Sequence, residues 1–104
     1  MTNGEYIISF PTGFLDREFE LPYKGYARNV HVKAADGRSW TLYFTDLSRL
    51  QQDLDDAKGR GESYFAEPGM IVLSEVTVEI IRNAIEGLWE AGFFKTLAPL
   101  AEIS

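Results

Sequence analysis

The single histidine, His31, lies in Asn29-Val30-His31-Val32-Lys33, where alternation sets Asn29, His31 and Lys33 on one side of a strand. An imidazole beside a lysine, with Tyr43 on the next strand, has the composition of a general-base site. The same residues make an ordinary solvated sheet face. With no cysteine in the chain, a zinc site would need three carboxylates gathered around His31, so no metal is expected. The carboxylate pairs Glu18/Glu20 and Asp53/Asp56 have the residue types for glycosidase-type acid and base roles. Both fall on faces expected to meet water, where no environment sets one carboxyl apart as the acid and the other as the base. Gly59-Arg60-Gly61 offers N–H groups and a guanidinium to an anion. It follows a helix C-terminus, whose dipole repels anions, and reads as a helix stop.

There is no G-x-S-x-G, no phosphate-binding glycine loop, no H-E-x-x-H, no EF-hand and no dinucleotide fingerprint. The expectation is a protein that is not an enzyme and carries no cofactor. Asn29, His31, Lys33, Thr41 and Tyr43, flanked by Arg28 and Arg38, mix base and aromatic as single-strand nucleic-acid platforms do. The set holds one aromatic, and the chain has a net charge of −6, so no nucleic acid is expected.

The acids themselves carry more information. Residues 1–45 are electrically balanced, and all the net charge lies in 46–104. There Asp53, Asp55 and Asp56 crowd the end of a helix, where the dipole disfavours anions by about 0.3–1 kcal/mol each and stability alone would select lysine or arginine. Glu62 and Glu67 extend the run. A solvated face explains such a run; an acidic surface for a basic protein partner explains it too, and there charge acts on association rate and specificity. Small acidic, cysteine-free immunity proteins and inhibitors share this profile, an analogy of class without a shared motif.

The elements that must carry these residues follow from periodicity. With 104 residues, 45% of them hydrophobic, the chain suits one domain with one core. It shows neither a signal-peptide pattern nor an apolar run of membrane-spanning length, so a cytoplasmic protein without a membrane partner is expected. Residues 5–10 and 16–21 read as a first hairpin around Pro11-Thr12-Gly13. In the second, 28–34 with 38–45, a two-residue turn would pair polar with apolar positions. A three-residue loop, Ala35-Asp36-Gly37, pairs Val32 with Trp40 and Val30 with Leu42 and puts Gly37 at the left-handed position of a G1 bulge.

Residues 46–58 read as a helix capped by Asp46 or Ser48, with Leu47, Leu50, Leu54 and Ala57 as its apolar stripe. Tyr64-Phe65-Ala66 reads as extended. Met70-Ile71-Val72-Leu73, four consecutive large apolar residues, reads as a central strand covered on both faces. Thr77 caps a second helix over 78–91, ended by Gly92, and the tail residues Leu97, Leu100 and Ile103 suggest docking. The expected fold is α+β: a mostly antiparallel sheet of about five strands, with two N-terminal hairpins and two helices packed on one face.

The function expected first is a non-catalytic, protein-binding module of the immunity or inhibitor type, with Asp53, Asp55, Asp56, Glu62 and Glu67 meeting a basic partner. A self-associating subunit, such as a homodimer formed through a spare sheet edge, is the alternative. A small enzyme or ligand-binding domain around His31 is the third.

Overall fold

In the computed structural model, which describes residues 6–97, a hairpin of β2 (Tyr26–Ala34) and β3 (Ser39–Thr45) forms the centre of the sheet. Valine, tryptophan, leucine and phenylalanine alternate along it with polar residues, and the inner set Val30, Val32, Trp40, Leu42 and Phe44 is at most 3% exposed. Val30 faces Leu42 and Val32 faces Trp40, the register expected from keeping apolar residues on one face. Gly37 N–H donates to Ala34 O at 3.0 Å and Ala34 N–H to Arg38 O at 2.8 Å. Gly37 takes φ +96°, so the three-residue loop is the one formed.

The expected first hairpin does not form. β1 (Tyr6–Ser9) pairs antiparallel with the far half of β2, Tyr6 opposite Ala34 and Ile8 opposite Val32. Residues 15–20 are instead a 3-10 helix, running into a short helix α1 (Leu21–Lys24). Pro22 suits a first helical turn. Of the alternating apolar residues only Leu21 is buried, at 3% exposure, while Phe19 is 68% exposed. The period-2 pattern there has no sheet to face.

After α2 (Leu47–Gly59), β4 (Met70–Val72) joins β3 in parallel, as a helical crossover permits. The strand order is β1-β2-β3-β4, a four-stranded mixed sheet. β4 is therefore an edge and not a central strand, and Val72 is 44% exposed. Its apolar run is satisfied by Leu73, which is buried, and by Ile71, which packs on the core. Residues 64–66 form no strand.

α3 (Val78–Glu90) is capped by Thr77, whose hydroxyl accepts from Ile80 N–H at 3.1 Å, and it buries Val78, Ile81 and Ile85. These join Val30, Val32, Trp40, Leu42 and Phe44 in one cluster. Asp46 caps α2, accepting from Arg49 N–H at 2.8 Å. The residues α2 buries are Asp53 and Ala57, whereas Leu47 is 72% exposed. Asp53 meets Tyr43, which strand alternation places opposite to Leu42 and Phe44. The two long helices thus lie on opposite faces of the sheet, not on one: α3 has the apolar stripe and takes the apolar face, while α2 takes the polar one. Beyond α3, Gly92 N–H donates to Trp89 O at 3.1 Å. A last 3-10 turn, Phe93–Thr96, then buries Phe94. Leu97 packs on the core, and its carbonyl accepts from Trp40 Nε1 at 3.3 Å. Leu100 and Ile103 lie outside the described residues.

Gly69 has φ +72°, and a Cβ there would sit 2.6 Å from the Thr41 carbonyl oxygen; a Cβ at Gly37 would meet nothing within 4 Å. Gly37→Ala should cost about 1–2 kcal/mol from backbone strain alone, and Gly69→Ala about 1–3 kcal/mol more from the clash. Urea denaturation of the two variants checks this; equal losses would contradict the close approach at Gly69.

Candidate functional site

Ala27 pairs with Phe44 and Val30 with Leu42, and the register shifts between them. Arg28 and Asn29 therefore share a single opposing residue, Tyr43, in a β-bulge. Asn29 takes φ +60°, a conformation that asparagine tolerates better than most residues. The extra residue lets Ala27 and Val30, three apart, both point into the core, and it re-aims Arg28 onto the α2 side.

There Arg28 lies over the Tyr43 ring, its guanidinium carbon 4.1 Å from the ring centroid. Its Nη1 donates to both Glu67 oxygens at 2.5 and 2.7 Å. Glu67 belongs to the loop between α2 and β4, which is pinned by Tyr43 N–H donating to Gly69 O at 3.1 Å. The Tyr43 hydroxyl donates to Asp53 Oδ2 at 3.0 Å. Asp53 is 9% exposed, and its other oxygen lies 3.3 Å from Arg49 Nε. That contact pairs the charges without a well-formed hydrogen bond, and Arg49 Nε is otherwise unpartnered. Arg49 stacks on Tyr26, its guanidinium carbon 4.5 Å from the ring centroid, and Lys24 approaches the same ring at 5.2 Å.

Charges and rings thus alternate from Glu67 through Arg28, Tyr43, Asp53, Arg49 and Tyr26 to Lys24. Burial raises the Tyr43 phenol above its ordinary pKa, and the bond to Asp53 adds to this against the opposing Thr45 hydroxyl and Arg28. The hydrogen bond to Glu67 raises the Arg28 pKa. At neutral pH the phenol is a donor and Arg28 a cation. Glu67 has its donor in Arg28 and Asp53 its donor in Tyr43, so the network fastens α2 and the 60–69 loop to the sheet.

This placement divides the five acids expected to meet a partner. Asp53 and Glu67 are consumed inside the network, and Glu62 accepts from Arg60 Nη2 at 3.1 Å. Asp55 accepts from Gln51 Nε2 at 3.0 Å and, like Asp56, lies exposed on the outer side of α2. The five do not form one free patch. Asp53 and Asp56 are likewise parted, the first buried and the second in water. Glu18 and Glu20 sit in the 3-10 helix and not on a strand.

His31 is exposed, with Nδ1 2.9 Å from the Thr41 hydroxyl. The Tyr43 hydroxyl is engaged with Asp53, so the structure does not join His31 and Tyr43 into an acid–base pair. Arg28 covers the Tyr43 ring, which removes the one aromatic that a stacked base would use. Arg60 ends α2, its N–H donating to Ala57 O and Asp56 O, which agrees with Gly59-Arg60-Gly61 as a helix stop. Among the described residues no three metal-ligating side chains come together.

A second set of acids stands on the polar face of the last helix, which the periodicity of 78–91 gives as Glu79, Arg82, Asn83, Glu86 and Glu90. Glu79, Glu86 and Glu90 lie on the outer face of α3, all exposed, and none makes an ion pair among the described residues. Their spacing, i, i+7 and i+11, was the available signal. Arg82 on the same stripe lies over Phe10, its guanidinium carbon 5.1 Å from the ring centroid. The field of these acids is felt at Tyr6, whose pKa is raised first by burial and then by Glu86 and Glu90.

Comparison with family models, with curated proteins and with solved structures found no match.

Tyr43→Phe should cost about 1–3 kcal/mol, because a nearly buried Asp53 loses its donor. It should also flatten the alkaline limb of stability. A phenol whose folded pKa lies above its ordinary value of 10.0 contributes stability that is whole below pH 10 and lost as pH rises through the folded value. Denaturation of both proteins from pH 8 to 11 checks this, and parallel alkaline limbs would contradict it.

Proposed function

We propose that the protein is a non-catalytic binding module that presents acidic surface to a basic protein, in the manner of immunity- or inhibitor-type proteins. The observation that carries this is the outer face of α3. Glu79, Glu86 and Glu90 span about 16 Å at a 1.5 Å rise per residue, exposed and without an ion-pair partner among the described residues. Asp55 and Asp56 add exposed charge on the other side of the sheet. Three exposed carboxylates against the single Arg82 of the same stripe add little to stability and much to long-range attraction, which steers a basic partner and excludes an acidic one. Among the described residues no helix is long and apolar enough to cross a membrane.

The Glu79→Lys/Glu86→Lys/Glu90→Lys variant should keep its melting temperature and lose capture of a basic protein from the native lysate at about 0.05 M salt. The wild type should lose that capture near 0.5 M, where screening is short-ranged. For a purified partner the on-rate should fall at least about ten-fold. Undiminished capture by the variant would remove α3 from the interface, and the Asp55→Lys/Asp56→Lys variant then tests the α2 side.

One observation favours a second reading, self-association. β1 and β4 stand at the two ends of the sheet order, and Ile7 and Val72 on them are 68% and 44% exposed. An unpaired edge with apolar side chains is a template for another strand. Light scattering at micromolar protein should then give twice the 11.8 kDa chain mass, and a monomer mass would exclude it.

A further inference from the structure

Where β3 begins and α3 ends, Arg38, Trp40, Trp89, Gly92, Phe94 and Lys95 enclose a cavity of about 230 Å³. Its walls are aromatic. Trp40 and Phe94 centroids are 5.0 Å apart and those of Trp89 and Phe94 5.6 Å, while Trp40 meets Trp89 edge-on at 6.3 Å. Among the described residues no acidic side chain lines it, although the chain carries −6 overall. Two cations from sequence-distant elements meet at it instead. Arg38 stacks on the Trp40 ring at 5.4 Å. Its Nε is held by Asp36 Oδ2 at 2.8 Å, which leaves both terminal nitrogens. Lys95 is exposed and makes no ion pair among the described residues. Glu86 and Glu90 bear on Tyr6, which packs on Trp89, and do not line the cavity.

We propose that this cavity binds a small, free aromatic carboxylate, with its ring against the half-buried Trp89 and its anionic group on Lys95 and Arg38. The volume lies below the range of about 300–1,000 Å³ common for larger ligands, which limits the occupant to one or two rings. Trp40 Nε1 already donates to Leu97 O, so the aromatic walls have no free indole donor from that residue for a neutral polar ligand. Polar recognition comes from the cationic rim. The negative end of the α3 dipole lies nearby and opposes an anion; Lys95, just past that end, offsets it.

Both tryptophans of the chain line the cavity, so two indole N–H resonances report on it directly. The isotope-labelled full-length chain is titrated with naphthoate and, separately, with the neutral isostere naphthamide. Both indole signals should shift saturably with naphthoate, and naphthamide should bind at least about five-fold more weakly. Lys95→Ala and Arg38→Ala should each weaken naphthoate about five-fold, as an ion pair of ~1 kcal/mol implies, and Lys95→Arg should restore it. The spectrum of each variant shows independently whether it is folded. No saturable shift at millimolar naphthoate, or equal affinity for naphthamide, would overturn the proposal. Tighter binding of N-acetylglycylphenylalanine than of naphthoate would overturn it in favour of a peptide chain end.

Discussion

One extra residue in β2 organises much of what surrounds it. An unbroken strand would set Ala27 and Val30 on opposite faces, because their spacing is odd. The bulge at Arg28 and Asn29, opposite Tyr43, restores both to the core face. The same kink sends a guanidinium over a tyrosine ring on the other face. From that single change of parity follow the anchor for Glu67, the covering of Tyr43 and the seat for Asp53 on α2. A left-handed asparagine costs something locally, and the pairings on both of its sides hold it in place.

The network built on the bulge changes the meaning of the negative charge. In composition every carboxylate counts alike. In the fold, Asp53 and Glu67 are fastened to cations and rings, and for Asp53, which is nearly buried, losing its partners would leave a charge in a poorly hydrated place. Carboxylates on the outer side of α3 are exposed and make no ion pair among the described residues, and Glu86 and Glu90 act with burial to raise the Tyr6 phenol above its ordinary pKa. The acids that hold the molecule together and those free to act at a distance are therefore different residues: Asp53 and Glu67 are tied into the network, while Asp55 and Asp56 on α2 and the three glutamates of α3 stand exposed.

What could be read in advance follows from how many constraints agreed at each place. In the β2–β3 hairpin, alternation, loop length and a glycine at the left-handed position all pointed to one register, and Val30 and Val32 took it. Thr77 and Asp46 capped as their side chains and positions suggested. Residues 16–21 misled because alternation was the only sign of a strand, while Pro22 and the exposed Phe19 favoured a helical turn. The run 70–73 misled because four apolar residues can face a core from the sheet's edge as well as from its middle. The bulge was visible only as the odd interval from Ala27 to Val30, and starting the strand at Arg28 hid it. That Glu67 would find Arg28 was not legible, since the two are 39 residues apart and meet only through the fold, whereas Arg49 and Asp53 stand at the i,i+4 spacing of a helical pair.

The mixed sheet also orders events in time. β2 and β3 are joined by a three-residue loop and close at little entropic cost, and β1 adds across a connection of moderate length. β4 is the outlier, because its partner strand ends before the whole of α2 and the loop that follows. Its three residues are the shortest pairing in the sheet. Contacts of that kind form late and open early, so the segment from Arg60 to Val72 is the natural unit of partial unfolding, with Arg28 and Glu67 as its clasp. Opening it would bare the β3 edge and lift Ile71 from the core, while Val78, Ile81 and Ile85 of α3 stay in the cluster with β2 and β3.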